Sequence, residues 1–397
     1  MKLIVRGAYL SEINSLLNTL DIKVITGIRR SGKSKLLESF VTNILKNDEN
    51  SNIIHINFNL TEFENLLEYH ALEKYVESCY IQGKNNYLLI DEIQMCTSFE
   101  KAINSLHAKE KYDIYISGSN AFLQSSDLAT LFVGRTYEIH ILPFSFKEYL
   151  DYYPSLNIYN SLNNYIKDGG MAGSYVYKNE TQKYRYLNND VLNALIVRDI
   201  IDKHHLKNEL LLQELIDFLM DNIGNIASIR KISNIISSNV NNDHKIVGRY
   251  ITLLCRSFLF YRVRRYDIKG KKYLQSEDKY YLADHSFRYA RLGTKNMDFG
   301  RILENIVAIE LLRRGYEVYV GVLYKKEIDF VAIKQGEKMY IQVANDISSS
   351  KTFEREISPL FSINDGYLKM IITRIYQPAY QYEGIKIIDV ADWLIDN

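Results

Sequence analysis

Between residues 22 and 142 the chain repeats one arrangement, a short continuous apolar run followed by a longer amphipathic stretch. The runs are Ile22 to Thr26, Ile53 to Phe58, Tyr87 to Asp91, Asp113 to Ser117 and Tyr137 to Leu142. Apolar strands alternating with amphipathic segments predict an α/β domain, a parallel sheet flanked by helices. From about 145 to 205 the spacing becomes helical, as in Tyr149, Tyr152 and Tyr153 and later Leu192, Leu195, Ile196 and Ile200, which predicts a helical lid. Leu210 to Asp284 reads as two helices, a longer helix from about His244 to Phe258, then two alternating strands, Phe258 to Tyr266 and Lys272 to Ala283, around a Lys-Gly-Lys turn. That order resembles a winged helix-turn-helix. The remainder opens with a helix from about Phe299 to Arg314 and continues as strands Glu317 to Val322, Glu327 to Ile333, Lys338 to Ala344 and Leu368 to Thr373.

These patterns divide the chain into a sheet domain over 1–150, a lid over 151–207, a winged module over 208–292 and a separate α/β domain over 293–397. A length of 397 residues exceeds one hydrophobic core, and 47% apolar residues suffice for several. The net charge of +1 supplies no global field toward nucleic acid or an anionic membrane, so any polyanion site is a local patch. Cys79, Cys96 and Cys255 lie far apart without Cys-x-x-Cys spacing, as expected of buried thiols in a reducing cytosol. The amino terminus meets charge too early for a signal peptide, and no apolar run approaches the roughly 20 residues of a membrane span. A cytoplasmic protein is expected.

The strongest chemical signal is Gly27-Ile28-Arg29-Arg30-Ser31-Gly32-Lys33-Ser34, placed between an apolar strand and a helix. It fits G-x-x-x-x-G-K-[ST]: the glycines let backbone N–H groups turn toward phosphate, the lysine reaches the β- and γ-phosphates, and the hydroxyl ligates Mg²⁺. The expected cofactors are therefore ATP and Mg²⁺. The cradle spans Gly27, Arg29, Arg30, Ser31, Gly32, Lys33, Ser34 and Lys35; of the two arginines one is expected on phosphate and one outward, and the sequence does not say which. Leu88 to Glu92 is an apolar strand ending in two acids, which makes Asp91 the second Mg²⁺ ligand beside Ser34 and Glu92 the candidate base. Ser119 and Asn120, after the strand ending at Ser117, are candidates to orient water, although a plain turn explains them too. Arg135 is a candidate to supply charge to a γ-phosphate, although surface arginines usually have no such role.

The set of motifs resembles a family of uncharacterised bacterial and archaeal AAA-type ATPases with a carboxyl-terminal domain of unknown function. Besides the loop above, its carriers are Ile90 to Gln94, Ser117-Gly118-Ser119, Gly134-Arg135, Leu142 to Tyr149, Asp168-Gly169-Gly170, Arg198-Asp199-Ile200, Lys279 to Asp284, Leu303-Glu304-Asn305 and Glu327 to Phe330. The resemblance implies an AAA+ fold with ATP binding and hydrolysis, and names no cargo.

Arg262, Arg264, Arg265, Lys269, Lys271 and Lys272 cluster on the wing, a candidate contact for DNA phosphates; a protein-docking hairpin is the alternative, and homo-oligomerisation is open. The last domain resembles the PD-(D/E)XK nuclease fold, with Glu304 on a helix and Asp329 on a strand. Nucleases of that fold need two strand carboxylates and a lysine. Here Gln342 and Ala344 stand at the second acid and the lysine, so the metal site is expected to be dismantled, unless Glu327, Lys325 or Lys326 replaces what is lost. The leading expectation is an ATP-driven or ATP-switched regulator; the rivals are a nucleotide-binding scaffold with negligible turnover and an ATP-coupled nuclease.

Overall fold

The computed structural model describes residues 4–118, 132, 134–236, 244–294 and 298–396. They form two compact units, Met1–Ile141 and Leu142–Asn397.

The first unit is a five-stranded, wholly parallel sheet of β1 (Ile22–Gly27), β2 (Ser51–Asn57), β3 (Asn85–Asp91), β4 (Asp113–Ser117) and β5 (Thr136–Ile141), in the order β2-β3-β4-β1-β5. Every expected strand forms: β1, β3 and β4 are buried almost throughout and carry apolar residues at successive positions, whereas the edge strands β2 and β5 alternate. Val24, Leu88, Ile90, Ile114 and Ile116 pack on one face with α3 (Tyr69–Ser78) and α4 (Phe99–Ala108). Ile25, Leu89, Tyr115, Ile139 and Ile141 pack on the other with α1 (Gly7–Ser15) and α2 (Lys33–Asn47). The order is set by crossovers: β4 is inserted between β1 and β3, which brings the ends of all three to one edge.

The second unit begins with the helices α5 (Phe146–Tyr152) and α6 (Ile158–Asp168) and a helical stretch that starts as α7 (Glu180–Arg185). A capping box of Ser145 and Glu148 starts α5. Helices α8 (Glu209–Asp221), α9 (Ile229–Ile236) and α10 (His244–Arg256) then precede the hairpin β6 (Phe260–Asp267) and β7 (Lys272–Leu282), the order expected from the sequence. The hairpin does not stand free as a wing. Strand β6 pairs in parallel with β8 (Glu317–Leu323), Arg265 opposite Val320, so one eight-stranded sheet runs through both halves of this unit.

After the short helix α11 (Ser286–Leu292), α12 (Phe299–Arg313) is buried along most of its length and so shows little polar stripe. Strands β8, β9 (Lys326–Lys334) and β10 (Glu337–Ala344) run antiparallel, and β11 (Leu368–Thr373) joins β10 in parallel after α13 (Ser350–Phe361). The edge is completed by β12 (Tyr380–Tyr382) and β13 (Ile385–Asp389), with α14 (Val390–Ile395) at the end.

Candidate nucleotide site

The loop after β1 turns through three left-handed positions, Gly27 (φ 146°), Arg30 (φ 64°) and Gly32 (φ 100°), and releases the chain into α2 at Lys33. Gly27 has a reason beyond phosphate. A Cβ there would sit 2.3 Å from the carbonyl oxygen of Ile141 on the adjacent β5, so only glycine lets the two backbones approach. Lys33 is buried and folds back over the loop, its Nζ donating to the carbonyls of Gly27 at 2.9 Å and Ile28 at 3.3 Å. The amino terminus of a 15-residue helix and an ammonium thus face the same loop, an arrangement that favours anions.

Asp91 is fully buried at the end of β3. Its Oδ1 accepts from the Ser117 hydroxyl at the end of β4, whereas its Oδ2, also buried, has no hydrogen-bond partner among the described residues. A buried carboxylate oxygen with no donor is costly unless a cation or water meets it. Buried Ser31 Oγ, in the loop itself, is likewise without a partner among the described residues. Ser34, half-buried in the first turn of α2, has the hydroxyl the pattern calls for. These donors are oxygens, as Mg²⁺ prefers, and they fit that ion.

Glu92 follows at φ 58°, unusual for a non-glycine residue, and its carboxylate accepts from Gln94 Nε2. Its backbone N–H points at Ser117 Oγ, 3.4 Å away. Arg29 is half-buried and Arg30 exposed. Lys35, expected in the cradle, lies on the exposed face of α2 in an ion pair with Glu38 at 2.6 Å. Ser119 and Asn120 lie outside the described residues.

Arg135 lies at the opposite edge of the sheet from the loop. It precedes Thr136, which pairs with Ile22 at the amino-terminal end of the parallel strands, and its carbonyl accepts from Ile22 N. Six residues of β1 separate that edge from the loop, roughly 20 Å at the usual rise per strand residue, so Arg135 does not reach a phosphate held by its own chain.

Two features were not anticipated from the sequence. Arg6, 3% exposed, stacks its guanidinium over Tyr9 at 4.5 Å and donates from Nη1 to the Ser31 carbonyl at 3.1 Å, bracing the loop from behind. Thr26, the residue before Gly27, donates to Glu138 Oε1 at 2.7 Å and lies 3.0 Å from His140 Nδ1. Burial raises the Glu138 pKa, partly offset by that hydroxyl. Neither residue carries a motif; the Thr26 contacts become visible only once β5 is known to flank β1, and the Arg6 contact only once the amino-terminal segment is known to lie behind the loop.

In the second unit the remaining motifs meet one another. Asp284 accepts from Gly170 N at 2.5 Å and from Ser286 N at 2.8 Å, and a Cβ at Gly170 would lie 2.2 Å from the Phe144 carbonyl. Asn305 forms a two-way amide pair with the backbone of Leu282, at 2.7 and 3.0 Å, attaching α12 to β7 as another strand would. Lys279 Nζ lies 2.8 Å from Glu304 and 2.7 Å from Glu327, with Asp329 at 3.7 Å. Burial, with the Glu304 charge adding to it, raises the Asp329 carboxyl, against the pull of Lys279. Glu327 and Asp329 thus meet the same cation, Lys279 from β7, while Lys326 turns to Ser362. Gln342 is occupied structurally, accepting from Asp329 N at 2.7 Å and donating to Glu356 at 3.1 Å.

The basic hairpin is neutralised in part by its own acids. Arg262 pairs with Asp278 at 2.6 Å and Arg265 with Glu277 at 2.7 Å, whereas Arg264, Lys269 and Lys271 are exposed and in no ion pair among the described residues. Burial pushes the thiols of Cys96 and Cys255 up to about 12, leaving them unreactive. No described helix is long and apolar enough to cross a membrane.

Residues 20–150 match the model of an AAA domain and residues 159–298 that of a domain of unknown function, DUF8612. Among solved structures, AMPPCP-bound DnaA from Aquifex aeolicus aligns with a TM-score of 0.32 at 17% identity, over 62% of this chain and 85% of DnaA. The Aeropyrum pernix Orc1 protein in complex with DNA aligns with a TM-score of 0.31 at 10% identity, over 79% and 94%. Scores this low carry no inference about activity or partner. The uncharacterized protein MJ1544 of Methanocaldococcus jannaschii is 28% identical, covering 94% of this chain and 85% of its own length. An uncharacterized protein of Haemophilus influenzae is 37% identical over 401 residues, 99% of each chain. At that identity over both full lengths, the chain belongs to the family of the Haemophilus influenzae protein, and the Gly27 to Ser34 loop and Asp91 both lie within the stretch that matches the AAA domain.

Proposed function

We propose that the chain is an AAA+ ATPase that binds ATP, hydrolyses it with Mg²⁺, and uses the nucleotide state to switch the modules that follow. One observation carries this reading: buried Asp91, with an unpartnered oxygen, ends the strand two places from β1, whose loop presents Lys33 and the start of α2. Lys33 exchanges the carbonyls of Gly27 and Ile28 for the β- and γ-phosphates, while Ser34 and Asp91 hold Mg²⁺, which neutralises phosphate charge when bound. Glu92 takes the proton of the attacking water, with Ser119 or Asn120 beyond β4 orienting it. Arg135 serves a γ-phosphate only if that phosphate belongs to a second copy, so this role and homo-oligomerisation stand together. The test is ATP binding by calorimetry with Mg²⁺, in wild type and in Lys33→Ala. Binding in wild type and its loss in the variant are expected; equal affinities overturn the assignment.

A second reading, a nucleotide-bound switch with negligible turnover, is favoured by the bond from Gln94 that occupies the Glu92 carboxylate. Steady-state phosphate release from purified protein separates the two.

A further inference from the structure

Three carboxylates converge in the second unit, Glu304 from α12 and Glu327 and Asp329 from β9. Their mutual repulsion in a partly desolvated place demands a cation. The cation present is Lys279 Nζ, on a side chain 3% exposed, at 2.7 to 3.7 Å from one oxygen of each. We propose that Lys279 stands in for a divalent cation, so that this centre is filled by the chain itself and takes no metal in the native protein.

Three features of the surroundings agree. An ammonium has three N–H donors and no acceptor, which matches an all-carboxylate cage. The cage is braced as a metal cage would be: Tyr281 OH donates to Glu304 Oε1 at 2.6 Å, and Val343 N donates to Asp329 Oδ2 at 2.9 Å. Gln342, the neighbouring group that would have to be an acid for a second strand carboxylate, is spent on Asp329 N and Glu356. The consequence is a fixed latch. Lys279 ties the β6–β7 hairpin to α12 and β9 without a metal, so chelators and metal supply do not govern that connection.

The experiment uses the full chain without nucleotide, comparing wild type, Asp329→Asn, Lys279→Met and the double variant Lys279→Met with Asp329→Asn. Mn²⁺ binding is followed by electron paramagnetic resonance and melting by calorimetry. Wild type is expected to show no saturable Mn²⁺ binding at these carboxylates and no change of melting temperature with EDTA. Lys279→Met is expected to melt several degrees lower, to take up a single Mn²⁺ and to recover melting temperature in its presence, and the added Asp329→Asn to abolish both gains. A wild-type Mn²⁺ site that disappears in Asp329→Asn overturns the proposal, and this arm stands whether or not Lys279→Met folds. So does a Lys279→Met chain that neither binds Mn²⁺ nor is stabilised by it. Neither result touches the assignment of the ATP site, which Lys33→Ala tests separately.

Discussion

Ser117 Oγ donates to Asp91 Oδ1 across the ends of β4 and β3, and the same hydroxyl faces the backbone N–H of Glu92. One side chain therefore fixes the rotamer of the acid proposed to hold Mg²⁺ and the entry of the chain into the residue proposed as base. A hydrogen bond to a charged group contributes about 1.5–3 kcal/mol. Ser117→Ala is expected to lower ATP turnover roughly ten- to hundred-fold, whereas Ser117→Thr, which keeps the hydroxyl, retains most of it. Steady-state phosphate release at saturating ATP and Mg²⁺ checks this; an unaffected Ser117→Ala removes the bond from the mechanism.

Glu92→Gln preserves the side-chain shape and removes the proton acceptor. Binding of ATP should persist while turnover falls by about 10²–10⁴-fold, the usual contribution of a general base. Calorimetry and phosphate release together give the answer, and wild-type turnover in this variant would rule Glu92 out as the base.

Arg6 acts from behind the loop. In a phosphate cradle the N–H groups face inward and the carbonyls outward, and the Ser31 carbonyl finds its donor in Arg6. Arg6→Ala should weaken ATP affinity about tenfold, the cost of a charge-assisted bond near the lower end of its range, with Arg6→Lys partly restoring it. An Arg6→Ala chain with the wild-type Kd shows the loop to be self-supporting.

The parallel sheet, its five strands and the position of the Gly27 to Ser34 loop are legible because period and motif are local properties. The first missed relationships are pairings between elements. Nothing in the sequence near Gly27 says that Ile141 will be its neighbour, so the glycine was credited to phosphate alone. Arg135 followed a glycine in a familiar pattern, but strand direction puts it at the wrong edge for its own nucleotide. The winged order was read from element types, and those types form; the parallel contact between β6 and β8 joins strands more than 50 residues apart and leaves no local trace. Ala344 likewise indicated a missing cation, and only the fold shows Lys279 arriving from another strand.

The hairpin sets a limit on nucleic-acid contact. With Arg262 and Arg265 held by acids, Arg264, Lys269 and Lys271 are the described exposed cations of that patch without an ion pair. If they alone meet phosphates, log K against log salt for duplex DNA falls with a slope of about −2.7, and Arg264→Ala removes about one unit of it. Fluorescence anisotropy over a salt series measures both. A much steeper slope locates the nucleic-acid surface elsewhere, and no binding at low salt favours protein docking.

The last prediction is that the carboxyl-terminal part cuts no nucleic acid, although Glu304, Glu327 and Asp329 converge there. Hydrolysis by such a centre needs a divalent ion held by strand carboxylates, a water beside it and a cation near the developing charge. Asp329 is in place, but its backbone N–H is taken by Gln342 Oε1, an uncharged amide whose other end is committed to Glu356. The remaining acids, Glu304 and Glu327, contact Lys279 at 2.8 and 2.7 Å, so the one nearby lysine is buried among the carboxylates instead of standing beside a free position. A metal entering there must displace a desolvated ammonium and leave it unpaired, a change that costs about 3–5 kcal/mol for a buried pair. Incubation of the full chain with plasmid and with single strands, in Mg²⁺ or Mn²⁺ and with or without ATP, should therefore leave both substrates intact. Cutting that is lost in Asp329→Ala would show that the amide at 342 and the lysine at the centre are tolerated, and would make this module a nuclease coupled to the ATPase.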